Sequence, residues 1–311
     1  MTASAREIAN AGGLTRRRVA MDTIVSIETV PAKGEIDVDA RIAGAFAWFT
    51  EVEARCSRFN PQSELSRLCD RPGVAVPVSP LLFRAIEFAL AVAADSGGAF
   101  DPTVGDAMAR AGFSRNYQDG RANDARSAAP CSFRDVLLGP AGCEVTLRRP
   151  LTLDLGAVAK GLAIDLAAQE LSGIDGFLIN AGGDIYAGGM NPDGHPWVIG
   201  LRDPREFDSL AARFSVSGAA VCTSGDYERA SAVNPADHHI LQPANGRAAA
   251  GVASVTVVAP TAMAADALAT AAFVLGPREG IAFLEANGAD GLAITPTGER
   301  FETPGLKGYL E

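Results

Sequence analysis

"ASVTVVAPTAMAADALATAAFVLG", Ala253–Gly276, holds the two kinds of element from which this chain is built. Its first part, Ala253–Ala259, is short and β-branched, which predicts a strand. Its second part predicts a helix over about 261–275 that is apolar on every side, and such a helix is buried. Asp266 and Thr270 break the apolar pattern. They stand at i and i+4, so their oxygens share one helix face with Met263, Phe273 and Val274. A hydrogen bond from Thr270 back to the Asp266 carbonyl would account for the hydroxyl and leave the carboxylate unexplained. A buried charge is costly unless it is paired or bound to metal. Two hard oxygens suit Mg²⁺ or Ca²⁺ better than zinc or copper.

Downstream, the pattern predicts a helix near 278–287 and a strand at Gly291–Thr295. Upstream come short strands at Trp197–Leu201, Ala212–Val216 and Ala219–Thr223. "GFLINAGGDIYAGG" (Gly176–Gly189) reads as a strand breaking into a glycine turn, and "GAVAKGLAIDLAAQEL" (Gly156–Leu171) as a helix. "CEVTLRRPLTLDL" (Cys143–Leu155) alternates on both sides of "RRP" and predicts a hairpin. Residues 112–135 are polar and aperiodic, an expected exposed and mobile insertion. "GAFDPTVGDAM" (Gly98–Met108) reads as a turn-rich loop. In "SPLLFRAIEFALAVAADSGG" (Ser79–Gly98), Ser79 caps a helix, Pro80 opens it and the glycines end it. A helix over about Ile36–Ala54, a strand at Arg17–Thr29 and a loose tail at 1–14 complete the pass. Strands and helices mix without a strict βαβα rhythm, which predicts an α+β fold. Nothing divides the chain into parts, so residues 15–311 are expected to form one domain.

The 311 residues suffice for a sizeable core. Acidic residues outnumber basic ones, 37 to 27, for a net charge of -10, which disfavours nucleic acid and anionic membrane as partners. The five cysteines show no CxxC spacing, arguing against a disulfide framework or zinc site. No membrane-length apolar run and no signal-peptide core are visible, so the expected compartment is the cytoplasm, or the periplasm if a leader has been removed.

Four further segments carry possible chemistry. "LTLDLGAVAKG" puts Asp154 before a turn and Lys160 one turn into a helix whose N-terminus would attract phosphate. Taken alone, that segment is better read as an ordinary strand-to-helix turn with a surface lysine. The glycines of "NAGGD" (Asn180–Asp184) would admit a close ligand or simply a hairpin turn. "TSGDYER" (Thr223–Arg229) sets hydroxyls at a strand end, for a ligand or for the next turn. In "HHILQPANG", His238 and His239 are neighbours, so at most one faces a site. Neither belongs to a recognisable nucleophile triad.

Taken in order, "MDT", "SRFNPQSELSRL", "GAFDPTVG", "LDLGAVAKGLAID", "INAGGDIYAGG", "VCTSGDYER", "HHILQPANG" and "ADALAT" resemble the ApbE family of Mg²⁺-dependent FAD:protein FMN transferases, from about Met21 to Gly276. The resemblance implies a T-fold-like α+β domain with FAD in a cleft. It implies cleavage of the FAD pyrophosphate, attachment of FMN to a threonine or serine of an acceptor protein, and release of AMP. It further implies that Asp266, Thr270 and the Ala157 carbonyl hold Mg²⁺, and that His239 is the general base. Asp154, Lys160, Met21, Phe59, Ala99, Phe100 and Asp101 would contact or enclose FAD, with Thr223, Ser224 and Asp226 shaping the site. The chain departs from the family pattern at Asp22 (usually glycine), at Gln242 and Asn245 (usually Asp and Thr), and at Ala269, where some members carry a carboxylate. Two other outcomes fit the same site: an FAD pyrophosphatase yielding FMN and AMP, or a non-catalytic FAD-binding protein.

Overall fold

A computed structural model describes residues 14–30, 37–115, 120, 122–123, 125–127, 129–206, 208–234 and 237–311. The chain opens with a hairpin, β1 (Leu14–Ala20) and β2 (Thr23–Thr29). The single strand expected at Arg17–Thr29 is therefore two, because Met21 and Asp22 both adopt positive φ, 49° and 61°, and reverse the chain. Asp tolerates that left-handed region better than most residues, so it can stand where the family usually has glycine. The expected tail lies outside the described residues except for Leu14, which already belongs to β1.

Next come α1 (Val38–Cys56), α2 (Glu64–Cys69), β3 (Ala75–Pro77) and α3 (Pro80–Asp95). As read from sequence, the Ser79 hydroxyl accepts from the Leu82 N–H and caps α3. The loop expected at Gly98–Met108 instead contains a 3-10 turn, Pro102–Val104, and the short helix α4 (Gly105–Arg110). Asp101 caps that turn and Pro102 pre-sets its first dihedral.

The expected hairpin at Cys143–Leu155 is also corrected. β5 (Glu144–Leu147) pairs with β3 and with the preceding β4 (Val136–Gly139). Leu151–Leu155 is buried but not a strand: Asp106 accepts from Thr152 N, and the Pro102 carbonyl accepts from Asp154 N. The stretch between α4 and β4 is tied down wherever it is described. Phe113 is buried, Arg126 pairs with Asp70, and Phe133 N donates to Asp101. Residues 116–119, 121, 124 and 128 of the expected insertion lie outside the described residues.

The second half holds α5 (Gly156–Glu170), β6 (Gly176–Ala181), β7 (Asp184–Gly189), β8 (Trp197–Arg202), β9 (Leu210–Val216) and β10 (Ala219–Gly225). It continues through β11 (Leu241–Gln242), β12 (Arg247–Ala248), β13 (Ser254–Ala259), α6 (Ala262–Leu275), α7 (Pro277–Ala286), β14 (Asp290–Ile294) and β15 (Arg300–Glu302). One eight-stranded sheet runs β1-β2-β6-β7-β10-β13-β14-β15. Every neighbouring pair in it is antiparallel, which fits α+β and excludes a doubly wound parallel sheet. Helix α6 packs on β10 and β13, α5 packs on α6, and α1 packs on α5, with one apolar core running between them. All six β13 residues are buried, the hydroxyl residues Ser254 and Thr256 among them.

Candidate active site at one end of the sheet

Register places four segments together. Val25 opposes Ala181, Ile185 opposes Val221, and Thr223 opposes Thr256. The Met21–Asp22 turn, the Gly182–Gly183 turn, the end of β10 and the start of β13 therefore share one end of the sheet. The two turns touch: a Cβ on Gly182 would lie 2.3 Å from Thr23 Oγ1.

Helices α5 and α6 bring the other groups. A Cβ on Gly161 would sit 2.5 Å from the Ala262 carbonyl oxygen, so α5 crosses the start of α6 with no room for a side chain. Four residues on, the Asp165 carboxylate accepts from Ala262 N at 2.7 Å and Met263 N at 3.0 Å. Both N–H groups are helix-terminal donors that need a partner. Burial nevertheless raises the Asp165 pKa to about 6, against those two bonds. The "KG…D" spacing thus locks α6 against α5.

That lock sets three charges together. Lys160 Nζ forms an ion pair with Asp184, the first residue of β7. Asp266 faces the same ammonium, is 7% exposed, and its Oδ2 is buried with no hydrogen-bond partner among the described residues. Burial pushes the Asp266 carboxyl upward. Lys160 opposes that shift, Asp184 adds to it and Arg229 opposes it. Burial would lower the Lys160 pKa, but Asp184 and Asp266 outweigh it and raise it. One turn beyond Asp266, Thr270 Oγ1 lies 3.2 Å from Ser224 Oγ, while Thr223 Oγ1 lies 2.9 Å from Thr256 Oγ1. Ala157 is half-buried in the first turn of α5, three residues before Lys160.

The two neighbouring histidines differ in their partners. His238 has both ring nitrogens engaged, Nε2 with the Ala249 carbonyl at 2.8 Å and Nδ1 accepting from Ile240 N at 3.2 Å. Its ring packs edge-on against Phe273, a structural role. His239 Nδ1 is buried with no hydrogen-bond partner among the described residues, and Phe113 meets its ring at 6.4 Å between centroids. Burial, then the positive charges of Arg229, His238 and Lys160, drive its pKa down to about 3. The imidazole is therefore neutral at physiological pH, with one ring nitrogen unprotonated.

Several carboxylates named from sequence are already occupied. Asp154 accepts from Gly156 N at 2.7 Å and pairs with Arg58 Nε at 2.6 Å. Asp101 accepts from Thr103 N, Thr103 Oγ1 and Phe133 N. Asp226 is held in a two-pronged pair by Arg205, at 2.9 and 2.6 Å. Phe100 is part of the core, while Ala99, Met21 and Phe59 are half-buried.

Sequence reasoning passed over Arg58 and Asp184. The Arg58 guanidinium lies 4.1 Å over the Phe59 ring, donates to the Phe113 carbonyl at 2.7 Å, and so links Asp154 and Phe59 to the ring beside His239. Asp184 follows directly on the glycine pair of "NAGGD", which was the available signal. A cavity of about 700 Å³ adjoins the His239 loop, lined by Asp106, Arg110, Asp237, Asn245 and Arg247 among others. None of the catalytic, FAD-contacting or metal-binding candidates named from sequence lines it.

Among the described residues no three His, Cys, Asp or Glu side chains gather as a metal cage. Among the described residues the oxygens gathered here are the Asp266 carboxylate and the Thr270 and Ser224 hydroxyls. That suits Mg²⁺, which commonly takes one or two carboxylates and completes its shell with water and substrate phosphate. The buried, partnerless Asp266 oxygen is the observation that fits such an ion.

The sequence profile of the ApbE family matches residues 21–294. The FAD:protein FMN transferase of Treponema pallidum is 33% identical over 306 residues, covering 91% of this chain and 84% of its own. That of Escherichia coli strain K12 is 28% identical, covering 89% and 80%. The crystal structure of the ApbE protein of Thermotoga maritima superposes with a TM-score of 0.86 at 31% identity, covering 96% of this chain and 99% of its own. The flavin transferase ApbE of Vibrio cholerae superposes at 0.82 with 26% identity, covering 98% and 100%.

Proposed function

The chain belongs to the ApbE family, and on that premise we propose that it is an FAD:protein FMN transferase whose chemistry is done around Asp266, Lys160 and His239. The observation that carries this reading is the Asp266 oxygen, buried and unbonded beside a lysine ammonium. Asp266, Thr270 and the Ala157 carbonyl would hold Mg²⁺. When bound, the ion supplies neutralisation of pyrophosphate charge.

The chain's own groups account for the rest. Phosphoryl transfer needs positioning and charge neutralisation more than covalent help. Lys160, fixed by Asp184, presents a cation for phosphate oxygens at the start of α5. The His239 imidazole takes the proton from the acceptor threonine or serine as its oxygen bonds to the FMN phosphorus. The bond to the AMP phosphate breaks, and AMP leaves with the electron pair. Phe59, Met21 and Ala99 offer half-buried apolar surface for the flavin and adenine rings. Asp154 and Asp101 shape that surface through Arg58 and the 3-10 turn, since their oxygens are engaged.

Gln242 Oε1 accepts from Asn245 Nδ2 at 2.8 Å, so the two departures complement each other within one turn. Incubation with FAD, Mg²⁺ and an acceptor domain should give a fluorescent protein adduct heavier by FMN, with equimolar AMP. AMP release at the same rate without acceptor identifies a pyrophosphatase. FAD bound but intact after hours with Mg²⁺ identifies a binding protein.

A further inference from the structure

The carboxylate delivered by "NAGGD" enters the transfer chemistry above only by holding Lys160, and it is firmly aimed. Asn180 Oδ1 accepts from Gly183 N at 2.9 Å, and Gly182 and Gly183 take φ of 66° and 103°, a turn that residues with a Cβ adopt only under strain. Thr23 closes the turn from the other side, against Gly182. Asp184 emerges as the first residue of β7, 2% exposed, with Oδ2 on Lys160 Nζ and Oδ1 3.4 Å from Thr223 N.

One ammonium therefore faces two buried carboxylates. Its flexible four-carbon stem lets it settle on whichever anion holds it better. It is paired with Asp184, and Asp266 Oδ2 is left with no hydrogen bond. We propose that Asp184 is a positioning residue: it draws the Lys160 ammonium off Asp266, which keeps the Asp266 oxygen open to a divalent cation and sets the ammonium beside it for the phosphates. The inference rests on the metal-binding reading given above. Without the Asp184 charge, Lys160 closes on Asp266 and competes with the cation from inside the protein.

Mn²⁺ binding to the full chain, followed by electron paramagnetic resonance without FAD, tests this with a readout independent of turnover. Asp184→Asn should weaken Mn²⁺ about 10–100-fold, the range seen when groups that orient metal ligands are lost. The double variant Asp184→Asn, Lys160→Met removes the competitor and should return the affinity to near the wild-type value. A merely structural role for Asp184 would give no such rescue. Undiminished binding by Asp184→Asn overturns the inference. Weak binding by both variants also overturns it, because Asp184 would then be a ligand itself. Wild-type protein that binds no Mn²⁺ overturns the metal reading and takes the inference with it. If circular dichroism shows Asp184→Asn unfolded, Lys160→Met alone decides. It should bind at least as tightly as wild type, and weaker binding refutes the competition.

Discussion

Asp266 and His239 carry opposite pKa displacements, and that difference makes their roles separable in solution. Burial raises the Asp266 carboxyl, so falling pH protonates it and removes a ligand. Burial and neighbouring cations hold His239 down to about 3, so it is already the neutral base across the working range. The acid limb of kcat/KM should therefore belong to Asp266, and it should move to lower pH as Mg²⁺ is raised, because the ion competes with the proton for the same oxygen. An acid limb near 6.5 that ignores Mg²⁺ concentration would assign it to a histidine instead. Asp266→Asn should lower transfer by about 100-fold or more, the rate equivalent of the several kcal/mol that metal charge stabilisation supplies. His239→Gln should lower it about 10²–10⁴-fold, the usual scale of a lost general base, while leaving Mn²⁺ binding unchanged. At this scale the sequence was half legible. The i, i+4 pair of Asp266 and Thr270 identified a buried polar face directly. The engagement of Asp101, Asp154 and Asp226 was invisible, because their partners Phe133, Arg58 and Arg205 come from segments 21 to 96 positions away.

Between elements, the crossing of α5 over α6 is the contact on which the site's geometry depends. Gly161→Ala should destabilise the protein despite alanine's better helix propensity. Propensity contributes about 1 kcal/mol in favour. A Cβ 2.5 Å from the Ala262 carbonyl meets backbone, which cannot swing aside. Overpacking of this kind costs about 1–3 kcal/mol. Urea unfolding should thus show a net loss, and Mn²⁺ affinity should fall as Asp266 is displaced from Lys160. Unchanged stability and affinity would mean that the helices slide without consequence. The capped, periodic α3 and the apolar α6 could be read closely from the sequence because their burial is set by their own residues. Two others misled for physical reasons. The alternation in Leu151–Leu155 marks real burial, but its N–H groups bond Asp106 and the Pro102 carbonyl rather than a strand. Met21–Asp22 turns without glycine, and only the positive φ of both residues discloses the hairpin.

Across the whole molecule, the antiparallel sheet collects residues from Met21 to Thr270 at one end, and that convergence depends on pairings such as β2 with β6 that no local pattern encodes. The result is a fold that carries buried, incompletely compensated charge when metal-free. The linkage has a definite sign. Asp266 has a folded pKa above its unfolded value near 3.9. Its contribution is fully present below that unfolded value and is lost as pH rises through the folded one. Asp165, raised to about 6, acts in the same direction. His239, depressed to about 3, acts oppositely, but only between about 3 and its unfolded value near 6.5. Comparing wild type with Asp266→Asn cancels the His239 and Asp165 contributions and leaves that of Asp266. Metal-free wild type should therefore lose stability relative to Asp266→Asn between pH 6.5 and 8. Mg²⁺ should reverse that order, since an ion at 100 times its Kd adds about 2.7 kcal/mol to the folded state. Thermal denaturation of both proteins, at pH 6.5 and 8 with and without Mg²⁺, gives all eight values. A Mg²⁺-induced rise in Tm should occur in the wild type only and be larger at pH 8, where proton competition is weakest. An equal rise in Asp266→Asn would place the ion elsewhere on this acidic protein.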